Sequence, residues 1–285
     1  MTLFTTLQSL VPQQKISEIA GRLAQSRHPM VKKTFIRTFA SVYGIKLEEY
    51  ARGSLSQYDS FNDFFTRELK DGARKIDDDP NALICPADGM ISQLGQIDKD
   101  QILQAKGKSY EVGQLLADYE LGKAMQEGSF VTVYLAPTNY HRVHMPFDGT
   151  LVETIYVPGQ LFSVNNETAE NITDLFARNE RCVCVFDTEF GKACVVLVGA
   201  MIVAGIETVA TGKIKRSDRV QRQTHHMTLK KGDELGRFYL GSTAIVVLPK
   251  SAGMAWGAGL YNSVPVTMGQ RLGTFLQLAI KVFAK

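Results

Sequence analysis

Apolar positions recur with two different periods along this chain, and the change of period falls near residue 80. In the first part Ile16, Ile19, Ala20, Leu23 and Ala24 stand at i, i+3, i+4, i+7 and i+8, and Val31, Phe35, Phe39 and Val42 make a second stripe. That spacing predicts two amphipathic helices with basic side chains on their other faces. Phe61, Phe64 and Phe65 in FNDFFTREL read as a segment that docks onto the body. Beyond residue 80 the runs shorten and become β-branched: FVTVYLA, TLVETIYV, CVCVFDT, ACVVLVGAMIVA and STAIVVLP. Gly, Pro and Asn separate them in PADG, PFDG, VPGQ and FGKA, which predicts antiparallel strands packed as a sandwich or barrel. Residues 166–180 and the tail from Phe275 read as helical, and 212–227, with His225 and His226, as a solvated loop. The fold class is therefore α+β: N-terminal amphipathic helices over 1–75, then a β-rich body of antiparallel sheets over 76–285.

Charge changes this picture at one end. Residues 1–46 hold Lys15, Arg22, Arg27, Lys32, Lys33, Arg37 and Lys46 against one acid, Glu18, so a chain of net charge +3 consists of a basic end on a mildly acidic body. The helices therefore have two readings, ordinary surface helices that cover the core or an interfacial anchor on an anionic membrane. The small net charge argues against nucleic acid as a partner. The longest apolar run, 193–206, is too short to span a bilayer and is broken by Gly199 and Gly205. Cys85, Cys182, Cys184 and Cys194 form no C-x-x-C pair and no metal-ligand pattern, so they read as reduced, buried thiols and no metal is expected.

Three short stretches carry candidate chemistry. Asp88 in PADG makes an Asx-turn or orients a base. His141 and His144 in YHRVHMP converge only if the backbone departs from a plain strand. Gly241-Ser242 in LGST is a hairpin corner or a strained peptide whose hydroxyl attacks the preceding carbonyl. Together Asp88, His144 and Ser242 supply a carboxylate, a base and a nucleophile. No G-x-S-x-G elbow surrounds any serine.

These motifs stand in a longer series: FNDFFTREL, CPADGMISQLGQI, QAKGKSYEVGQLL, YHRVHMPFDG, PGQLFSVN, LFARNERCV, VGAMIVAGIETV, KGDELGRFYLGSTAIVVL and VTMGQRLG. In this order, from about residue 10 to 275, they resemble the bacterial phosphatidylserine decarboxylases. The resemblance implies a proenzyme. Ser242 would attack the Gly241 carbonyl with His144 as base and Asp88 orienting it, and the chain would separate into 1–241 and 242–285. Ser242 would become a covalent pyruvoyl group, which forms a Schiff base with the serine headgroup and releases CO2 to give phosphatidylethanolamine. His141 is the residue expected to protonate the resulting carbanion. Phe162, Ser163 and Asn165 in PGQLFSVN are candidates for the lipid pocket. The implied partners are a phospholipid, an anionic membrane surface on the cytoplasmic face, and the two cleavage products themselves, held together and dimerising further. The competing expectation is a Ser-His-Asp lipid hydrolase that keeps Ser242 intact; 212–227 and the tail after Phe275 lie outside the resemblance.

Overall fold

The computed structural model describes residues 13–200, 205–239 and 242–276. Gly241, and the helical reading of the tail beyond Leu276, lie outside these residues.

Two helices open the described chain, α1 (Gln13–Ala24) and α2 (Pro29–Val42). Pro29 suits the first position of α2, because its fixed φ is helical and the N–H it lacks has no partner there. A third, α3 (Phe61–Phe65), is capped by Ser60, whose hydroxyl accepts from the Asp63 N–H at 3.1 Å. Phe61, Phe64 and Phe65 are buried with Tyr58, Ile36 and Ala40, and the Phe39 ring meets Phe61 at 5.2 Å and Phe65 at 5.7 Å. FNDFFTREL is thus the docking segment its spacing predicts.

The inward face of α2 is Ile36 and Ala40, not the stripe of Val31, Phe35, Phe39 and Val42. Val42 is 71% exposed, Ile19 on α1 61% and Met30 72%. The small Ala40 and the β-branched Ile36 fit against the aromatic cluster, Phe39 packs at its edge half-buried, and Phe35 and Val42 are left outside.

The body begins with β1 (Ala82–Ile84) and β2 (Gly89–Gln96), followed by a hairpin of β3 (Gln101–Ala105) and β4 (Lys108–Glu111). Helices α4 (Val112–Leu116) and α5 (Tyr119–Ala124) lead to β5 (Ser129–Leu135), β6 (Arg142–His144) and β7 (Gly149–Val157). Two more, α6 (Asn166–Asn171) and α7 (Leu175–Arg178), occupy the stretch read as helical. Then come β8 (Arg181–Thr188), β9 (Gly191–Gly199), β10 (Gly205–Thr208), β11 (Gly212–Lys213), β12 (Gln221–Leu229) and β13 (Glu234–Tyr239). The last are β14 (Ser242–Leu248), β15 (Met254–Trp256), β16 (Pro265–Val266) and β17 (Arg271–Phe275).

The central sheet has eight strands in the order β12-β7-β8-β9-β14-β5-β2-β16, and its neighbours pair antiparallel. No sheet closes into a barrel among the described residues; the layers of a packed sheet are what formed. Side chains alternate between its two faces. On β14, Ala244, Val246 and Leu248 join a core with Leu83, Val143, Phe238 and Leu272 from the smaller sheets β1-β17-β15 and β11-β10-β13-β6. Ile245 and Val247 join a second core with Tyr110, Leu115, Leu175 and Phe176 from the β3–β4 hairpin and the helices.

The expected loop at 212–227 is corrected in part: Gln221–Leu229 is an edge strand paired with β7, and the His225 ring bonds the Thr154 hydroxyl at 2.8 Å. Its outer position leaves almost every side chain solvated, so the sequence lacks the apolar alternation by which a half-buried strand is recognised.

Replacing Ile245 by Ala is expected to cost about 2–5 kcal/mol, because the side chain is fully buried on a central strand. Gln223→Ala on the exposed edge strand should stay within about 0.5 kcal/mol. Urea unfolding of the two variants tests the assignment of centre and edge.

Candidate active site

The PADG turn is held from two sides before its carboxylate does anything. The Pro86 carbonyl accepts from the His144 N–H at 2.7 Å, and the Cys85 N–H donates to the Gln270 carbonyl at 2.7 Å. Gly89, at the head of β2, has no room for a side chain, since a Cβ would fall 2.2 Å from the Tyr134 carbonyl oxygen on β5. Asp88 is consequently buried at a point of close backbone approach. Its carboxylate accepts from Arg74 Nη2 at 2.6 Å, from Arg74 Nε at 3.1 Å and from the Met268 N–H at 2.9 Å. Arg74 reaches on to Glu49 at 3.0 Å. The hydrogen bonds to Asp88 above all raise the pKa of the guanidinium and hold its charge.

His144 and Arg142 border an open cleft of about 310 Å³ with Arg74, Tyr140, Glu234 and Met268. His144 Nδ1 lies 2.7 Å from the Gly232 carbonyl, which can only accept, so Nδ1 carries the proton. Nε2 then accepts from the Tyr140 hydroxyl at 2.9 Å. Burial lowers the His144 pKa, while the Gly232 carbonyl and the charges of Glu234 and Asp88 oppose that shift.

His141 is fully enclosed. Its Nδ1 lies 2.8 Å from the Asn139 carbonyl and therefore also carries a proton, and its Nε2 has no partner. The Phe65 ring covers it at 4.1 Å between centroids, which explains where α3 docks. Burial pushes the His141 pKa down to about 3, with the Arg67 charge adding to the effect and the Asn139 bond opposing it.

Ser242 is the first residue of β14, fully buried, with its Oγ unpartnered. It pairs with Leu135 on one side and Gly199 on the other. The turn 136–140 links Leu135 to His141, whose carbonyl accepts from the Phe238 N–H on β13 at 3.0 Å. Orphan hydroxyls also occur at Thr132 and Thr243, so the state of Ser242 gains meaning from its place at the strand head beside the His141 turn.

The structure thus places His144 on a cleft and Asp88 behind two residues of its lining, Arg74 and Met268, and it brings His141 and Ser242 to the two ends of one short connection. Among the described residues no hydrogen bond joins Asp88 to His144, or either of them to Ser242. The position that a relay carboxylate would occupy on His144 Nδ1 is taken by the Gly232 carbonyl.

Phe162 is buried in the second core, beneath the Arg178 guanidinium at 5.1 Å. Asn165 caps α6, its Oδ1 accepting from the Thr168 N–H at 2.9 Å and the Thr168 hydroxyl at 2.8 Å. Ser163 lies between them, half-buried. Sequence reasoning missed Asn179, whose amide grips the Phe162 carbonyl and the Gly199 carbonyl, both at 2.9 Å. That residue ties the PGQLFSVN loop to the strand beside Ser242. Tyr140 was in plain sight one position before His141, and Arg74 carried no signal beyond being a basic residue in a polar stretch. The four thiols are buried and free, with Cys85 pushed up to about 12 by burial. No group of three His, Cys, Asp or Glu side chains among the described residues is placed to hold a metal ion.

A family model described as phosphatidylserine decarboxylase matches residues 61–274, and a second, described as PSD, matches 3–44. The phosphatidylserine decarboxylase proenzyme of Psychrobacter arcticus is 68% identical over 95% of this chain and 98% of its own. That of Psychrobacter cryohalolentis is 67% identical over 96% and 99%, and that of Acinetobacter baumannii 55% identical over 95% of each. The chain belongs to the phosphatidylserine decarboxylase family.

Arg74→Met should strand the Asp88 carboxylate in a buried position and destabilise the protein by about 3–5 kcal/mol. Adding Asp88→Asn should recover most of that loss. A double-mutant cycle read by urea unfolding measures the coupling, and additive losses would show that the pair does not act as a unit.

Proposed function

We propose that this chain is a self-cleaving proenzyme whose product decarboxylates phosphatidylserine to phosphatidylethanolamine. The observation that carries the reading is Ser242: a fully buried hydroxyl without a partner, at the head of a central strand and directly after Gly241 in sequence. Family membership over 61–274 spans Asp88, His141, His144 and Ser242 and supports it.

In this reading Ser242 Oγ attacks the Gly241 carbonyl carbon, the Gly241–Ser242 C–N bond breaks, and the chain is joined by an ester. His144, neutral with its Nε2 lone pair, takes the hydroxyl proton once Tyr140 yields its place, and the Asp88 charge favours the imidazolium that results. His144 returns that proton to the freed nitrogen; elimination then removes the Cα proton of residue 242 to a base, breaks the Oγ–Cβ bond and frees 1–241 with a terminal carboxylate. The dehydro residue left at 242 is hydrolysed by water to ammonia and a ketone, the pyruvoyl group. The surroundings suit such a group, being dry, free of a competing hydrogen bond to Oγ, and reached from the turn that carries His141. That ketone supplies the sink for the electrons that the departing CO2 leaves behind. His141 Nε2 receives and returns a proton beside it, and the Phe65 ring keeps water off the imidazole. Strand β14 bonds to β5 and β9 along its length, so the 242–285 product stays in place after the cut.

The outward apolar side chains of α1 and α2 border a groove of about 490 Å³ lined by Ala20, Ala24, Phe35, Phe39, Val42, Tyr43 and Phe61, with Thr34 and Thr38. Arg22, Lys33 and Arg37 are exposed on the same helices. No described helix is long and apolar enough to cross a membrane. This combination supports an interfacial anchor on an anionic bilayer, with the free thiols suiting the reducing, cytoplasmic side.

Intact mass measurement under denaturing conditions should find two chains, the smaller beginning at residue 242 with a blocked end, and Ser242→Ala should give one uncut, inactive chain. Active protein found as a single chain would remove the self-cleavage; the alternative of a lipid hydrolase is not supported by the family to which the chain belongs. For the anchor, Lys33→Gln with Arg37→Gln should weaken binding to phosphatidylserine-containing vesicles by about 2 kcal/mol, roughly 30-fold, at about 1 kcal/mol per charge. Equal sedimentation of both proteins with such vesicles would refute an electrostatic anchor there.

A further inference from the structure

Arg67 follows α3 in FNDFFTREL and is fully buried. Among the described residues no carboxylate pairs with it. Its Nη2 donates to the Tyr50 hydroxyl at 3.0 Å and the Thr138 carbonyl at 3.1 Å, and lies 3.5 Å from the Asn139 carbonyl. The guanidinium stacks on the Tyr50 ring at 4.3 Å and reaches the Phe64 ring at 5.3 Å. Each of these acceptors is a neutral oxygen and Nε has no partner, so the positive charge is only partly solvated and is not cancelled.

The turn that Arg67 grips is the one that sets His141. Asn139 Oδ1 accepts from the Ala136 N–H at 2.8 Å, the Asn139 N–H donates to the Ala136 carbonyl at 2.9 Å, and the Asn139 carbonyl takes the His141 Nδ1 proton at 2.8 Å. Few charged groups face His141. Arg67 bears on it from the segment after α3. From β6, Arg142 is turned away, to Glu234 at 2.9 Å and the Thr66 carbonyl at 3.0 Å. From β13 the Phe238 backbone meets it, from α3 the Phe65 ring, and Tyr50 stands behind Arg67.

We infer that Arg67 is a positioning residue for His141. By clamping the 138–139 carbonyls it fixes the proton on Nδ1, and by its uncancelled charge it keeps Nε2 empty as a proton acceptor. This rests on the decarboxylase reading above, and it orders the proton movements within it. His141 begins neutral and is a weak base in the empty site. The substrate brings a carboxylate and a phosphate, whose negative charge offsets that of Arg67 and lets Nε2 take a proton from the ammonium nitrogen, which keeps the N–H electron pair for bond formation. After CO2 leaves without the electrons of its C–C bond, the same proton passes from Nε2 to that carbon, and His141 is empty again. Arg67 itself touches no reacting atom.

The test is ¹⁵N NMR of the histidine rings in the single-chain Ser242→Ala protein, with His141→Gln used to assign the signal. His141 should show protonated Nδ1 and unprotonated Nε2 from pH 8 to pH 5. A histidine held neutral by burial has a folded-state pKa below its unfolded value, so the unfolded chain binds the extra proton as pH falls. The stability that follows is full above about pH 6.5 and is lost tenfold in the unfolding constant per pH unit down to about 3. Arg67→Gln should mix the two tautomers and let His141 titrate at higher pH. Arg67→Lys should keep resistance to protonation but not the single tautomer, because an ammonium on a flexible stem lacks the planar group that stacks on the Tyr50 ring and so holds Nη2 at the Thr138 and Asn139 carbonyls. Nε2–H in the parent, or titration there near 6.5, overturns the inference with no folded Arg67 variant needed. A folded Arg67→Gln protein with unchanged ring signals overturns it as well. Failure of the decarboxylase reading would appear instead in the wild-type chain, as absent cleavage or absent CO2, whatever the ring signals do.

Discussion

Strand β14 has no free edge. It is bonded to β5 from Ser242 to Leu248 on one side and to β9 from Ser242 to Val247 on the other, and all seven of its residues are buried. The two hydrophobic cores meet through it, one taking Ala244, Val246 and Leu248 and the other Ile245 and Val247. A reactive residue at the head of such a strand has a fixed position without any local device to hold it. A break just before Ser242 would leave the ladder whole, so the constraint that builds the fold is compatible with the proposed cleavage.

The chemistry around that strand is set by backbone carbonyls more than by charged side chains. A carbonyl accepts and cannot donate, so Gly232 and Asn139 each decide which nitrogen of a histidine carries the proton. Both rings therefore present Nε2 as a lone pair, His144 to the Tyr140 hydroxyl and His141 to no partner. Asp88, which a serine-protease analogy would put on a histidine, is held by Arg74 and the Met268 amide and acts on His144 only through its field. The same three residue types can thus serve a different division of labour.

Much of this was legible in sequence, for reasons that differ from place to place. The β-branched runs around 130–136, 150–157, 182–188 and 193–199 announced their strands because both faces of the central sheet are covered. The edge strand Gln221–Leu229 was not legible, since nothing apolar marks a strand whose side chains are solvated. On α2 the stripe was read in the right place with its facing left open; Ile36 and Ala40 go inward, Phe39 packs at the edge of the aromatic cluster, and Phe35 and Val42 lie outside. Asp88, His141, His144 and Ser242 were named from motifs that match a family, yet their partners were hidden. Arg67 and Asn179 act through contacts 72 and 20 residues away in the chain, which no local pattern encodes. Asn165, expected near the lipid, spends its side chain on capping α6.

Gly89 links these parts mechanically. Residue 89 lies against the Tyr134 carbonyl, and Tyr134 pairs with Thr243, the neighbour of Ser242. Asp88 is therefore bolted through a single peptide unit of β5 to the strand that Ser242 heads. Nothing compressible lies between them, since the contact is backbone on backbone. Any side chain at 89 would have to displace the peptide unit with which Thr243 pairs, so the absence of one methyl group beside Asp88 is a condition on the strand that Ser242 heads.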